Sequence, residues 1–328
     1  MRGNKDNSSM SFALEAAIVL LNPHAAGGKA AALVQPIRQW LSQHAAHISF
    51  ESPHTAEKSR LLIDALPKNS RVVVVGGDGT LNQLLPSLLA GVHTVALIPF
   101  GSGNDTARAL GLYGLPWQQA LQHALNGQAS RVDLGLAEFE PDDSDVDVDH
   151  QKPGLKKTIS VPFISSFTTG FDSSVGLRAL NGPKWLRGLP KYVLATVREL
   201  ANLRTWQVQV CLDGESVHAG EALFASTLNT RSFGGGMPAV PHARMDDGKL
   251  DLLLAEQFNA LETILMLPRL LMGKHLSHTK VQTQPFQTLH IVAKTPIPLA
   301  ADGEYLGLAK QIKVSVLPSC LAVVTATV

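Results

Sequence analysis

Residues 71–75, RVVVV, place four β-branched apolar side chains in a row. Side chains of a strand alternate between the two faces of its sheet. This run therefore sends two valines to each side, and both faces must be covered. Strands buried on both faces belong to parallel sheets flanked by helices. The stretches AIVLL (17–21) and HTVALIPF (93–100) have the same texture, and HISFES (47–52) is strand-like. Between them the spacing becomes helical. Leu33, Val34, Ile37, Trp40 and Leu41 fall on one face of GGKAAALVQPIRQWLSQH, and residues 57–66, 80–91, 104–112 and 116–127 are also helical. Strands alternating with helices predict a doubly wound α/β domain over residues 15–130.

The texture changes after residue 130. Residues 158–167, 206–213, 221–230, 250–255, 287–293 and 311–317 read as strands separated by turn signals, with helices near 172–180, 190–203 and 259–272. Residues 131–305 are thus expected to form a mostly antiparallel β-sandwich, making the chain α/β plus β. The charged insertion 140–157 reads as an exposed loop. Its acidic half lacks the spacing of a calcium loop. Residues 1–11 are polar and expected to fray.

Charge and cysteine content exclude some functions. A formal net charge of +1 gives no reason to expect a nucleic-acid partner. Two cysteines, Cys211 and Cys320, cannot build a disulfide framework and suit a reducing, cytoplasmic compartment. The most apolar stretch, 260–272, is broken by Glu262, Pro268 and Arg269, so no membrane span is expected. His275 and His278 have a possible metal spacing, but scattered histidines are more often structural.

Three candidate strands end in glycine-rich stretches: NPHAAGGK (22–29), GGDGTLN (76–82) and PFGSGND (99–105). Ligands of open α/β sheets bind beyond the carboxyl ends of the strands. Glycine lets backbone N–H groups approach an anion, and a following helix N-terminus adds positive potential. Gly76, Gly77, Gly79, Gly101, Ser102 and Asn104 are therefore expected around a phosphate group. Asp78 stands in the middle of this site. A carboxylate there repels phosphate unless a cation intervenes or a proton is moved. The competing reading is a helix cap. Thr80 and Asn82 are expected to hydrogen-bond phosphate or ribose.

GGDGTLNQ (76–83) followed by IPFGSGNDTAR (98–108) resembles the diacylglycerol kinase catalytic-domain family, which includes sphingosine kinases and bacterial lipid kinases. Further blocks follow in family order: NP with Gly27 and Gly28, Thr55, VDLG (132–135), TTGFDSSV (168–175), FGGGMPAVPHARMDDGKLDLLL (233–254) and ADGEYLG (301–307). GGDGT alone also occurs in NAD kinases and phosphofructokinases, so the ordered set carries the specificity. The sequence departs from the family at Gln83, where Glu is usual, and at Ser102, where Thr is common.

The resemblance implies that Asn22, Gly27, Gly28, Thr55, Gly77, Asp78, Gly79, Thr80, Asn82 and Ser102 surround ATP. It also implies that Asp247, with the backbone carbonyls of Arg244 and Lys249, holds a structural Mg²⁺. An Asp-Gly hairpin turn would explain the same residues. In ADGEYLG either Asp302 or Glu304 is the implied general base. The residues after 305 are implied to return to the first domain, so that 306–328 completes it. The expected activity is ATP- and Mg²⁺-dependent phosphorylation of a lipid hydroxyl, with the lipid entering between the domains. The expected partners are a lipid substrate, peripherally a membrane surface, and a second copy in a homodimer. For membrane contact the candidate is 184–206, where Trp185, Leu186, Leu189, Tyr192, Val193 and Leu194 lie among Lys184, Arg187, Lys191, Arg198 and Arg204. A soluble kinase of NAD-kinase type and a non-catalytic nucleotide or lipid sensor are the alternatives.

Overall fold

A computed structural model describes residues 16–142, 158–183, 185–186 and 188–326. Strands β1 (Ala17–Leu21), β2 (Ser49–Glu51), β3 (Arg71–Gly76) and β4 (Thr94–Pro99) pair in parallel in the order β2-β1-β3-β4. Helices α1 (Val34–His44), α2 (Ala56–Asp64), α3 (Asp78–Ala90), α4 (Asp105–Ala109) and α5 (Trp117–Asn126) cover them. The valine run divides as strand alternation requires. Val72 and Val74 pack with Ile63, Leu81, Leu85 and Leu88 on the α2–α3 side. Val73 and Val75 pack with Ile37, Leu41, Leu121 and Leu125 on the α1–α5 side. Each fully buried valine contributes about 1.5–3 kcal/mol. The helix expected from residue 27 begins only at Val34, because Ala26, Gly27 and Gly28 have positive φ and Lys29–Leu33 is a 3-10 turn.

The second unit comprises β5 (Ala129–Pro141), β6 (Ile159–Phe163), β7 (Ser166–Thr169), α6 (Phe171–Leu180), α7 (Leu189–Glu199), β8 (Trp206–Leu212), β9 (Glu215–Leu228), β10 (Leu250–Glu256), α8 (Ala260–Leu271), β11 (Val281–Phe286), β12 (Thr288–Ala301) and β13 (Glu304–Val324). Its strand pairings are antiparallel, and β8 bonds both β9 and β12. Phe163, Phe167, Val210, Leu252, Phe286, Ile291 and Leu299 fill its core. β11 has no counterpart in the sequence reading. Its residues QTQPF do not alternate, and burial falls only on the last one.

The divisions expected at residues 130 and 305 fall within the first residues of β5 and of β13. Hydrogen bonding is continuous across both. β13 runs antiparallel to β12 and β5 and then, at Ala322 and Val323, parallel to β4. Parallel strands and sandwich thus form one mixed sheet. The crossing lies at a bulge between Leu317 and Leu321, where Ser319 takes a φ of 49°. Asp133 holds that bulge by accepting a 2.7 Å bond from the Ser319 N–H. Residues 143–157 of the acidic insertion, and Lys184 and Arg187 of the basic segment, lie outside the described residues.

Candidate active site

The carboxyl ends of β1, β3 and β4 bring the three glycine loops together. Asn22 donates from Nδ2 to Thr80 Oγ1 at 2.9 Å, which ties the first loop to the second. The second and third loops touch through bare backbone. A Cβ added at Gly101 would sit 2.5 Å from Gly77 Cα, and one at Gly77 would sit 2.8 Å from Gly101 Cα. Asn104, at a φ of 59°, accepts from Gly101 N at 2.8 Å and donates to Gly101 O at 3.0 Å. Its side chain therefore builds the third loop rather than facing a ligand.

Asp78 does cap a helix, but not its own. It is the first residue of α3, whose N-cap is Gly77. Its oxygens accept from Asp105 N at 2.9 Å and Thr106 N at 3.0 Å, the first turn of α4. These bonds hold the second and third loops at a fixed distance, and Asp78 still lines the central cavity.

Asp302 and Glu304 differ in their surroundings. Asp302 is buried at a φ of 47° and accepts four hydrogen bonds. Ser165 N (2.7 Å) and Ser166 N (3.0 Å) bond Oδ1, while Ile164 N (2.9 Å) and Asn82 Nδ2 (2.9 Å) bond Oδ2. Burial pushes its carboxyl up to about 6 against the pull of those donors. Asn82 also donates to Pro162 O at 3.1 Å, so it clamps the second unit to α3 and is turned away from the cavity. Glu304 accepts no hydrogen bond among the described residues. Burial alone raises its carboxyl, and a Cβ at Gly79 would lie 2.5 Å from Oε1. It therefore lies against the first turn of α3, beside the glycine loops.

Two further groups meet there. Asp105 accepts from Ser232 Oγ and Gly235 N, each at 2.8 Å, and is raised first by burial and then by the charge of Asp78. The phenol of Tyr192 is raised by burial and then by Asp105, Asp78 and Glu304. Tyr192 was expected to face a membrane, but α7 turns it into the cavity. Asp105 is missing from the expected site residues, although the run Gly-Ser-Gly-Asn-Asp, with a carboxylate opening a helix beside the phosphate loops, carries the signal that would have found it. Tyr192 carried no local signal, because only tertiary packing decides which face of α7 it occupies.

These side chains line one cavity of about 450 Å³. One end carries Gly77–Thr80, Gly101–Gly103, Asp105 and Glu304; the other is walled by Phe171, Val175, Leu223, Phe258, Met266 and Leu267. Gly27, Gly28 and Thr55 do not line it. Thr55 is exposed and caps α2 by accepting from Lys58 N at 3.2 Å. Its neighbour His54 meets His24 of the first loop edge-on, with ring centroids 5.7 Å apart. Gln83 is exposed, so a carboxylate at that position would face solvent.

The Asp-Gly loop at 247–248 lies on the outside. Asp247 is exposed and accepts from Lys249 N at 3.1 Å, while Arg244 pairs with Asp246 at 3.0 Å. Asp133 fixes the loop, accepting from Gly248 N at 2.7 Å and donating its own N–H to Met245 O at 2.6 Å. Among the described residues no three His, Cys, Asp or Glu side chains converge as a metal cage. His275 is buried and bonds Ala239 O at 2.7 Å, so the histidine spacing is structural.

Residues 16–137 match the diacylglycerol kinase catalytic domain, and residues 165–325 match the YegS C-terminal NAD kinase beta sandwich-like domain. A diacylglycerol kinase of Mycobacterium tuberculosis is 31% identical over 264 residues, covering 80% of this chain and 79% of that protein. A crystal structure of a diacylglycerol kinase from Bacillus anthracis superposes with a TM-score of 0.66 at 17% identity, covering 95% of this chain and 97% of the other. An NAD kinase from Archaeoglobus fulgidus, solved in complex with ATP, has a TM-score of 0.52 at 12% identity, covering 94% and 93%. The two structural likenesses establish the fold.

Proposed function

The chain belongs to the diacylglycerol kinase family and is a lipid kinase; from that premise we propose that it transfers the γ-phosphoryl group of ATP to a lipid hydroxyl, with Mg²⁺. One observation carries the reading. A single cavity joins an end lined by glycine loops and carboxylates to an apolar end suited to acyl chains. An NAD-kinase-type acceptor would leave that apolar wall without a purpose.

The N-terminus of α3 faces the phosphates, while the third loop, whose Gly101 N–H is bonded to Asn104, offers them close backbone approach. Asp78, Asp105 and Glu304 make the same end acidic, and among the described residues no lysine or arginine lines it. A triphosphate in such a site needs a divalent cation, and Mg²⁺ is commonly held by one or two carboxylates together with phosphates. Asp78 and Asp105 are the residues that would hold it, and it would neutralise charge on the transferring group. Asp247 with the carbonyls of Arg244 and Lys249 offers an all-oxygen set for a second, structural ion. Glu304, unbonded among the described residues and raised in pKa by burial, accepts the proton of the lipid hydroxyl as attack proceeds. Asp302, saturated by four donors, positions the turn that presents Glu304.

The lipid reaches this cavity from a membrane surface. Met266, Leu267 and Leu270 of α8 line the cavity, while Leu261, Ile264 and Leu265 of the same helix are exposed. Trp185, 79% exposed, adds an aromatic anchor near α7. No helix among the described residues is long and apolar enough to span a bilayer. An interfacial contact through α8 therefore replaces 184–206 as the main candidate.

The deciding experiment is transfer of radiolabelled γ-phosphate to diacylglycerol, monoacylglycerol, phosphatidylglycerol, ceramide, sphingosine and NAD. Label is expected in a lipid and to disappear on chelation of Mg²⁺. Label in NAD alone would overturn the reading. For the membrane contact, Leu261→Asp with Leu265→Asp is expected to abolish co-sedimentation with vesicles containing anionic lipid.

A further inference from the structure

The apolar end of the cavity contains a carboxyl group that phosphoryl transfer does not use. Asp172, the second residue of α6, lines the wall with Phe171, Val175 and Leu223. Its Oδ2 accepts a 2.8 Å hydrogen bond from Ser226 Oγ. Ser226 Oγ itself accepts from Thr169 N at 3.3 Å, so its proton is committed to Asp172. Oδ1 has no hydrogen-bond partner among the described residues, and the half-buried residue lines the cavity.

Two effects act on the charge of this group. Its place in the first turn of α6 favours the anion, typically by less than about 1 kcal/mol. Burial opposes the anion, and no basic group among the described residues offsets it, so burial wins and pushes the carboxyl up to about 7. A lipid that displaces water from the cavity strengthens that bias. With Oδ2 occupied as an acceptor, the neutral acid has one free donor, the hydroxyl on Oδ1. In an otherwise apolar ligand, the matching acceptor is the carbonyl of an acyl linkage.

We propose that Asp172 recognises the acyl linkage of the acceptor lipid, donating a hydrogen bond from Oδ1 to an ester or amide carbonyl. Acylated acceptors are then preferred over ether-linked lipids and free long-chain amines of equal length. The inference rests on the reading that the lipid occupies this cavity, and it adds a specificity residue remote from the phosphates.

The test compares a 1,2-diacylglycerol with its dialkyl ether analogue in mixed micelles, using wild type, Asp172→Ala and Asp172→Asn. Wild type is expected to show a KM about tenfold lower for the ester, the worth of one hydrogen bond in a dry site. Asp172→Ala is expected to raise the ester KM to the ether value, leaving the ether KM, the ATP KM and kcat within about twofold. Asp172→Asn keeps a donor on Nδ2 and an acceptor for Ser226, so it is expected to restore the preference. Should the alanine variant not fold, the wild-type ester-to-ether ratio decides alone. Equal KM values in wild type, a preference that survives in Asp172→Ala, or a free long-chain amine as the best acceptor would overturn the proposal. Transfer to NAD with none to any lipid would remove the cavity reading itself, and this inference with it.

Discussion

Asp302→Ala and Glu304→Gln, two residues apart, are expected to damage the protein in opposite ways. Alanine at 302 removes the acceptor of four hydrogen bonds. Asn82 keeps a partner in Pro162 O, but the N–H groups of Ile164, Ser165 and Ser166 lose theirs. Each buried unsatisfied donor costs about 1–3 kcal/mol. Some relaxation and water entry leave an expected loss of about 3–5 kcal/mol, a large share of the roughly 5–15 kcal/mol that keeps a domain folded. Urea denaturation followed by circular dichroism should show the midpoint fall accordingly. The Glu304 side chain accepts no bond among the described residues, so Gln should leave the midpoint within about 0.5 kcal/mol of wild type. It removes the proton acceptor, however, and kcat should drop about 10²–10⁴-fold in the labelled-phosphate assay. Normal turnover in Glu304→Gln, or full stability with lost turnover in Asp302→Ala, would refute this division of roles.

Asp78→Asn should abolish phosphoryl transfer and lower stability by about 1–3 kcal/mol, because an amide nitrogen then faces the Asp105 or Thr106 N–H. Wild-type turnover would sink its role. Gly101→Ala pushes a methyl group into Gly77 and should weaken nucleotide binding by calorimetry while costing about 1–3 kcal/mol of stability. Gly79→Ala meets only the movable end of Glu304, so kcat should fall with little change in denaturation midpoint. The folded protein holds the Asp172 proton more tightly than the unfolded chain does, at about 7 against 3.8. Stability is therefore greatest below about pH 4 as far as this group is concerned, and it declines as pH rises to 7, by on the order of 4 kcal/mol. Asp172→Asn should flatten that part of the stability–pH curve.

The α/β half was legible because strand alternation and helical spacing are local. Four valines in a row already require two covered faces, and the cores on either side divide them in pairs. The glycine loops were legible for a similar reason: phosphate binding needs bare backbone, and bare backbone is written as glycine. Side-chain roles were less accessible. Asn82 and Asn104 have the right chemistry for a ligand, yet one clamps Asp302 and the other builds its own loop.

By itself, then, the sequence determined the parallel strands, their glycine-rich ends and the carboxylates gathered around them. Tertiary structure decided which carboxylate is free. Asp302 and Glu304 are indistinguishable as residue types two positions apart, but the backbone at 164–166 saturates one and leaves the other open. It also decided that Tyr192 and Asp172 face the cavity. Hydrogen-bond saturation and burial depend on elements far apart in the chain, and no local pattern encodes which of them will meet.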